Sequence, residues 1–265
     1  MKDEGCGPVQ RPRDGVIYVA TGPEYLDLAR RSALSVRKEN PGLAIDLYTD
    51  SDPTACGDAF DRVHPVPRVH PRVKIDVLPL SRFSRTLYLD CDTLVLAPFG
   101  DLFDILERFD LALAHDVRRD SDLVQEGHAE RTPYAFPQLN SGVMLYRRSA
   151  AMRGFLSEWR RRYRAAGRLR DQITLKDLLW ASDIRFYVLP PEFNLRRVTE
   201  LDAWEPLDAR PTIIHSHRFM DHMRSPGAEK ITTLARLREV EREALSREWS
   251  TAAPRRVTAD PVAVR

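Results

Sequence analysis

Residues 85–93 read RTLYLDCDT, and this stretch decides the fold. Leu87, Tyr88 and Leu89 form an apolar run too short for a helix, which reads as a buried strand ending in Asp90 and Asp92. Carboxylates at i and i+2 of an extended segment leave the backbone on one side, because side chains alternate with a period of two. Both can then approach one cation. Mn²⁺ or Mg²⁺ favours such hard oxygen ligands and fills its other positions with water and substrate phosphates. Cys91 between them reads as a small packing residue rather than a ligand, since a hard dication does not seek a thiolate. An isolated Asp-x-Asp is usually a solvated turn. Carboxylates at the end of a buried strand instead need a compensating charge, which favours the ligand reading.

Outward from this motif the chain keeps an α/β rhythm. Residues 15–21 (GVIYVAT) read as a strand closed by Gly22-Pro23. Residues 24–38 place Tyr25, Leu28, Ala29, Ser32, Ala33 and Val36 at helical spacing before the stop Asn40-Pro41-Gly42. A strand at 44–48 completes a βαβ unit, which implies parallel strands. Residues 50–72 read as irregular and 74–80 as a helix leading into the motif. After the motif come a helix at 102–107, strands at 111–114 and 139–146, and a polar stretch at 117–138 expected to form a mobile loop over the site. Residues 150–166 form an amphipathic helix with Met152, Phe155, Leu156, Trp159 and Tyr163 inward and its arginines solvated. A helix at 171–180, strands at 185–189 and 211–215, and a charged helix at 231–249 follow. The expected organisation is a flexible leader (1–14), one domain (15–249) and a disordered tail (250–265).

The 41 basic and 39 acidic residues nearly cancel to a net charge of +2, which argues against a nucleic-acid binder. Three cysteines, none in a Cys-x-x-Cys pair, suit reduced thiols. With no apolar secretory core at the start and no run approaching the roughly 20 apolar residues of a membrane span, the expectation is a cytoplasmic protein without a transmembrane segment.

The run LYLDCDTLVLAPFGDLF, then LNSGVMLYR, RDQITL, LPPEFN and TIIH, resembles the GT-A glycosyltransferases of family 8, the glycogenin and bacterial α-galactosyltransferase group. The order and approximate spacing match over residues 15–217. The resemblance implies a Rossmann-like, nucleotide-binding mixed sheet flanked by helices. It further implies transfer from a nucleotide-sugar, a UDP-sugar before a GDP-sugar, to a small-molecule or glycan acceptor, with retention of anomeric configuration. By it, Asp90 and Asp92 hold the metal with His215 as third ligand, or His217 if the strand continues. Lys74 would steady the site, or else be a helix-surface lysine. Ala20, Thr21 and Tyr25 fall where the family contacts the base, Tyr25 able to stack on it or equally to be core. Asn140, Ser141 and Gly142 match the stretch near the donor sugar, or a structural bulge. Asp171 and Gln172 match the pair at the reacting carbon, although Asp171 also suits a helix N-terminus.

Two departures stand out. Gly22 and Pro23 replace the acidic residues that usually follow the first strand, which leaves the uracil-type contact open. Where the family has Gly-x-x-Lys on the diphosphate, this chain reads His215-Ser-His217-Arg218, so that Arg218 or Arg224 would take the lysine's place. The rival reading is a haloacid-dehalogenase-type phosphatase with Asp90 as nucleophile and Asp92 as general acid, but the further acidic metal ligands it needs are missing downstream. A nucleotidyltransferase would want a better glycine-rich loop than ATGPEY, and a non-catalytic nucleotide-sugar binder would not need the whole set.

Overall fold

The computed structural model describes residues 13–251 apart from 120, 169 and 226, so the leader up to residue 12 and the tail from residue 252 lie outside the described residues. In chain order the elements are β1 (Asp14–Ala20), α1 (Pro23–Glu39), β2 (Ala44–Thr49), β3 (Arg62–Pro65), α2 (Lys74–Val77), β4 (Arg85–Leu89), β5 (Thr93–Val95) and β6 (Leu111–His115). Then follow α3 (Asp122–Gln125), β7 (Leu139–Arg147), α4 (Ala150–Ala166), α5 (Asp171–Ala181), β8 (Phe186–Leu189), β9 (Ile213–His215), α6 (Asp221–Arg224) and α7 (Leu234–Thr251).

Seven strands form one sheet in the order β3-β2-β1-β4-β7-β6-β8. β1 runs parallel to β2 and β4, but β7 lies antiparallel to both its neighbours, β4 and β6. The parallel pairing implied by the βαβ unit therefore holds up to β4, and the inserted β7 makes the sheet mixed. β3 falls in the stretch read as irregular. It pairs with β2 alone, and an edge strand accommodates the proline that ends it. β5 and β9 form a separate antiparallel ladder that sets Thr93 opposite His215.

Strands buried on both faces need no polar alternation, and these divide their apolar residues between two cores. Val16, Tyr18, Leu87, Leu89, Ala112 and Ala114 face α1 and the β5–β9 ladder. Ile17, Tyr88, Leu111 and Leu113 face α2, α4 and α5. Gly22 enters α1 at φ 82°, a conformation that suits glycine, and Pro23 opens the helix where its missing N–H is not needed. The helix then turns Leu26 into the core rather than Tyr25, which is 39% exposed. Tyr25 is not a core residue.

The polar stretch expected to be loose is tied down. The backbone N–H groups of His128 and Ala129 donate to the buried Asp177 carboxylate of α5 at 2.9 and 2.6 Å. Gln138 is fully buried and donates to the Glu126 carbonyl at 2.8 Å. Polar composition alone could not distinguish a solvated loop from one satisfied by buried partners.

β1 has β2 on one side and β4 on the other, so the connections leaving these strands diverge at their carboxyl ends. In open α/β sheets that divergence is where ligands bind. Under it, the Trp159 side chain of α4 is fully buried and its indole N–H donates to the Asp171 carbonyl at 3.2 Å. Trp159→Ala should destabilise the protein by about 3–5 kcal/mol, read as a lower urea midpoint at an unchanged m-value.

Candidate functional site

A cleft of about 460 Å³ opens at the carboxyl ends of β1 and β4. Asp90, Asp92 and His215 each offer it a ligand atom, and the three atoms lie within 4.8 Å of one another. The ladder of β5 with β9, extended by the Ser216 N–H donating to the Asp92 carbonyl at 3.0 Å, is what brings residue 215 beside the Asp-x-Asp motif. His215 Nε2 stands 3.3 Å from Asp92 Oδ1 and 3.7 Å from Asp90 Oδ2, while its Nδ1 meets Asn194 Oδ1 at 2.9 Å. Burial pushes the Asp92 carboxyl upward, but His215 and Arg196 outweigh it and hold Asp92 below the usual carboxylate range.

Two carboxylates and an imidazole with one nitrogen turned toward them form a donor set suited to Mn²⁺ or Mg²⁺. Gly142 leaves room for that set. A Cβ there would lie 2.0 Å from His215 Cε1 and 2.6 Å from Asp90 Oδ2. Cys91 lines the cleft, but its thiol meets the Val19 carbonyl at 3.2 Å, and burial raises its pKa well above the ordinary value. His217 also lines the cleft without joining the ligand group; burial, then Arg218 and Arg196, lower its pKa to about 4.

Lys74 is buried rather than on a helix surface. Its ammonium reaches Asp90 Oδ1 at 3.3 Å, Ser141 Oγ at 3.0 Å and Asp171 Oδ2 at 3.4 Å. Burial alone would lower its pKa, but Asp171 and Asp90 outweigh this and raise it, so Lys74 is a fixed cation. Asp171 sits behind the cleft lining, with the Ser141 hydroxyl on its Oδ2 at 2.8 Å and Arg72 3.5 Å from its Oδ1. Burial raises its pKa, and Lys74 and Arg72 bring it below the usual range. It stands one layer behind the cleft, not in its lining.

Gln172 and Asn140 line the cleft directly. Both amides donate to Asp116 Oδ2, at 3.1 and 3.4 Å. Asp116 is a residue that the sequence reading missed, although it follows the end of β6 just as Asp90 follows β4. Arg72 and Arg196 were missed as well, and both line the cleft. Thr21 and Tyr25 line it too; Ala20, one residue back, is buried in the core instead. Of the two candidate arginines, Arg224 faces the cleft, whereas Arg218 lies outside the lining with its guanidinium 3.6 Å from Asp221.

No family model and no curated protein matches this chain. Among solved structures it is similar to the galactosyltransferase LgtC in complex with donor and acceptor sugar analogues (TM-score 0.58, 16% identity, 91% of this chain and 98% of that one). It is also similar to the glycosyltransferase GlyE of Streptococcus pneumoniae TIGR4 (TM-score 0.55, 19% identity, 90% of this chain), of whose length it spans 62%. A third is the bifunctional glycosyltransferase WbbM (TM-score 0.54, 14% identity, 78% of this chain and 46% of that one). The fold is that of the GT-A glycosyltransferases. Its solved neighbours include the family-8-type enzymes LgtC and GlyE.

β7 is held on both sides, so an added methyl at Gly142 must displace His215. Gly142→Ala should lower stability by about 1–3 kcal/mol and abolish Mn²⁺ binding in calorimetry, while Gly154→Ala, at an open helix position, binds Mn²⁺ like the wild type.

Proposed function

We propose that this protein transfers a sugar from a nucleotide-diphosphate sugar, a UDP-sugar before a GDP-sugar, to an acceptor hydroxyl, with retention of configuration. The observation that carries the proposal is the convergence of Asp90, Asp92 and His215 within 4.8 Å at the carboxyl end of β4. The acceptor is a small molecule or a glycan. A single catalytic domain acting in the cytoplasm completes the reading. In its support, the buried Cys56 and Cys91 are unpaired, and no helix among the described residues is long and apolar enough to cross a membrane.

Asp90, Asp92 and His215 would hold a divalent cation, which would supply positive charge to a departing diphosphate. The chain's own cations, Arg72, Lys74, Arg196 and Arg224, line the same cleft and favour that charge further. Tyr25, at the rim, offers a ring face to the base. Gln172 gives its amide N–H to Asp116, which leaves its carbonyl oxygen to stabilise cationic character at the reacting carbon. An amide is no base. The acceptor proton then passes to the leaving phosphate oxygen on the same face of the sugar, as the new bond forms and the old one breaks. The phosphatase reading finds less support, because the third group beside Asp90 and Asp92 is an imidazole rather than another carboxylate.

Asp90→Ala and Asp92→Ala should each abolish Mn²⁺-dependent transfer and leave the circular dichroism unchanged. Full turnover in excess EDTA would sink the metal assignment. His215→Ala should weaken Mn²⁺ binding strongly and His217→Ala only mildly. A reversed order in calorimetry would move the third ligand to His217.

For the chemical step, Gln172→Ala should lower kcat far more than it raises the donor KM. The anomeric proton of the product, followed by NMR, should show the donor's configuration, and the opposite configuration would discard front-face transfer.

A further inference from the structure

Resting on the metal site proposed above, we infer that Asn194 is a positioning residue: with Asn140 it relays the direction of the Gly142 amide to His215 and so presents His215 Nε2 as a ligand.

The relay can be read one atom at a time. A backbone N–H can only donate, and the Gly142 N–H points at the Asn140 side chain at 3.0 Å, so the atom it meets is the carbonyl Oδ1. The same Oδ1 lies 3.1 Å from the Asn194 side chain, which must present its NH₂ group there. The other end of the Asn194 amide is therefore a carbonyl, and it lies 2.9 Å from His215 Nδ1. A carbonyl accepts, so Nδ1 carries a proton. Nε2, facing Asp90 and Asp92, is then the nitrogen whose lone pair a cation can take. Running the other way, the Asn140 amide is left with its NH₂ toward Asp116, whose same oxygen receives the Gln172 amide. One orientation of two buried asparagines thus sets both the ligand nitrogen and the groups beside the sugar subsite.

The backbone holds Asn194 in this role. Leu195 bridges to Ile214, the Leu195 N–H donates to the Ile213 carbonyl at 2.8 Å, and the His215 N–H donates to the Leu195 carbonyl at 3.0 Å. Asn194 is 2% exposed and lies behind the cleft lining. It acts through its neighbours rather than on a substrate. The element LPPEFN, which carried resemblance without a residue role, acquires one here.

The two halves of the Asn194 amide can be separated. Asn194→Ala removes both and should weaken Mn²⁺ binding ~10–100-fold in calorimetry. Asn194→Asp keeps an acceptor for Nδ1–H, yet sets an oxygen against Asn140 Oδ1. It should hold Mn²⁺ within about threefold of wild type while kcat falls at least tenfold, as the Asn140 amide turns away from Gly142 and Asp116. Wild-type protein loaded with Mg²⁺ should show the His215 proton on Nδ1 in ¹⁵N NMR, a measurement that needs no variant. Mn²⁺ affinity unchanged in Asn194→Ala overturns the inference alone, whereas a proton on Nε2 in the loaded protein removes His215 as a ligand and overturns the metal site with it. Equal loss of Mn²⁺ in the alanine and aspartate variants also overturns the inference, since packing would explain both. A wild-type chain that binds no Mn²⁺ overturns the metal site and this inference together.

Discussion

The pairing of β4 with β7 at Gly142 is the constraint on which the site depends. The Gly142 carbonyl accepts the Asp90 N–H at 2.7 Å, which carries the ladder one residue past the strand and fixes where the first carboxylate starts. Its N–H anchors Asn140, and the missing side chain is the space that His215 fills. A parallel strand beside β4 would offer slanted bonds and a different set of facing residues. The antiparallel insertion of β7 instead lays Asn140, Ser141 and Gly142 alongside the Asp-x-Asp motif. The site is built across that seam of the mixed sheet.

Around the seam the charges are bound to one another before any substrate arrives. Lys74, Asp171 and Asp92 are all buried, and burying isolated charges costs several kcal/mol each. Each has opposite charges near it: Lys74 between Asp90 and Asp171, Asp171 between Lys74 and Arg72, Asp92 near Arg196. The Tyr88 hydroxyl also donates to Asp90 Oδ1. Such a lattice adds little net stability but fixes direction. Dipoles that need not reorganise as charge moves are what the transfer proposed above requires.

Much of this was legible in the sequence, where a strong local pattern coincided with a rule of position. Leu87, Tyr88 and Leu89 marked a strand, and the strand-end rule marked Asp90 and Asp92. Residues 211–215 read as a strand, and β9 lies within them; its register against β5 did not read, and that register is what separates His215 from His217. Asp116 follows β6 as Asp90 follows β4, so the same rule applied once more would have found it. Arg72, Arg196 and Asn194 lie in turns whose composition carries no period, and only the fold sets them beside the site. Tyr25 and Leu26 show the opposite limit: a helical stripe one residue wide either way fits the spacing, and the entry through Gly22-Pro23 decides which of the two is buried.

The ladder of β5 with β9 has a consequence for how this chain matures. It joins residue 93 to residue 215, so the trio of ligand atoms is drawn from stretches over a hundred residues apart. Contacts of such long range form late, because the loop between them must first close. During synthesis, a chain that has emerged only as far as β7 holds two carboxylates and no imidazole between them. A cation that favours all three would therefore select the finished fold over every partial one, adding stability in proportion to the logarithm of its concentration. The abundance of the ion in the cell would set how long the protein lasts as well as how fast it works.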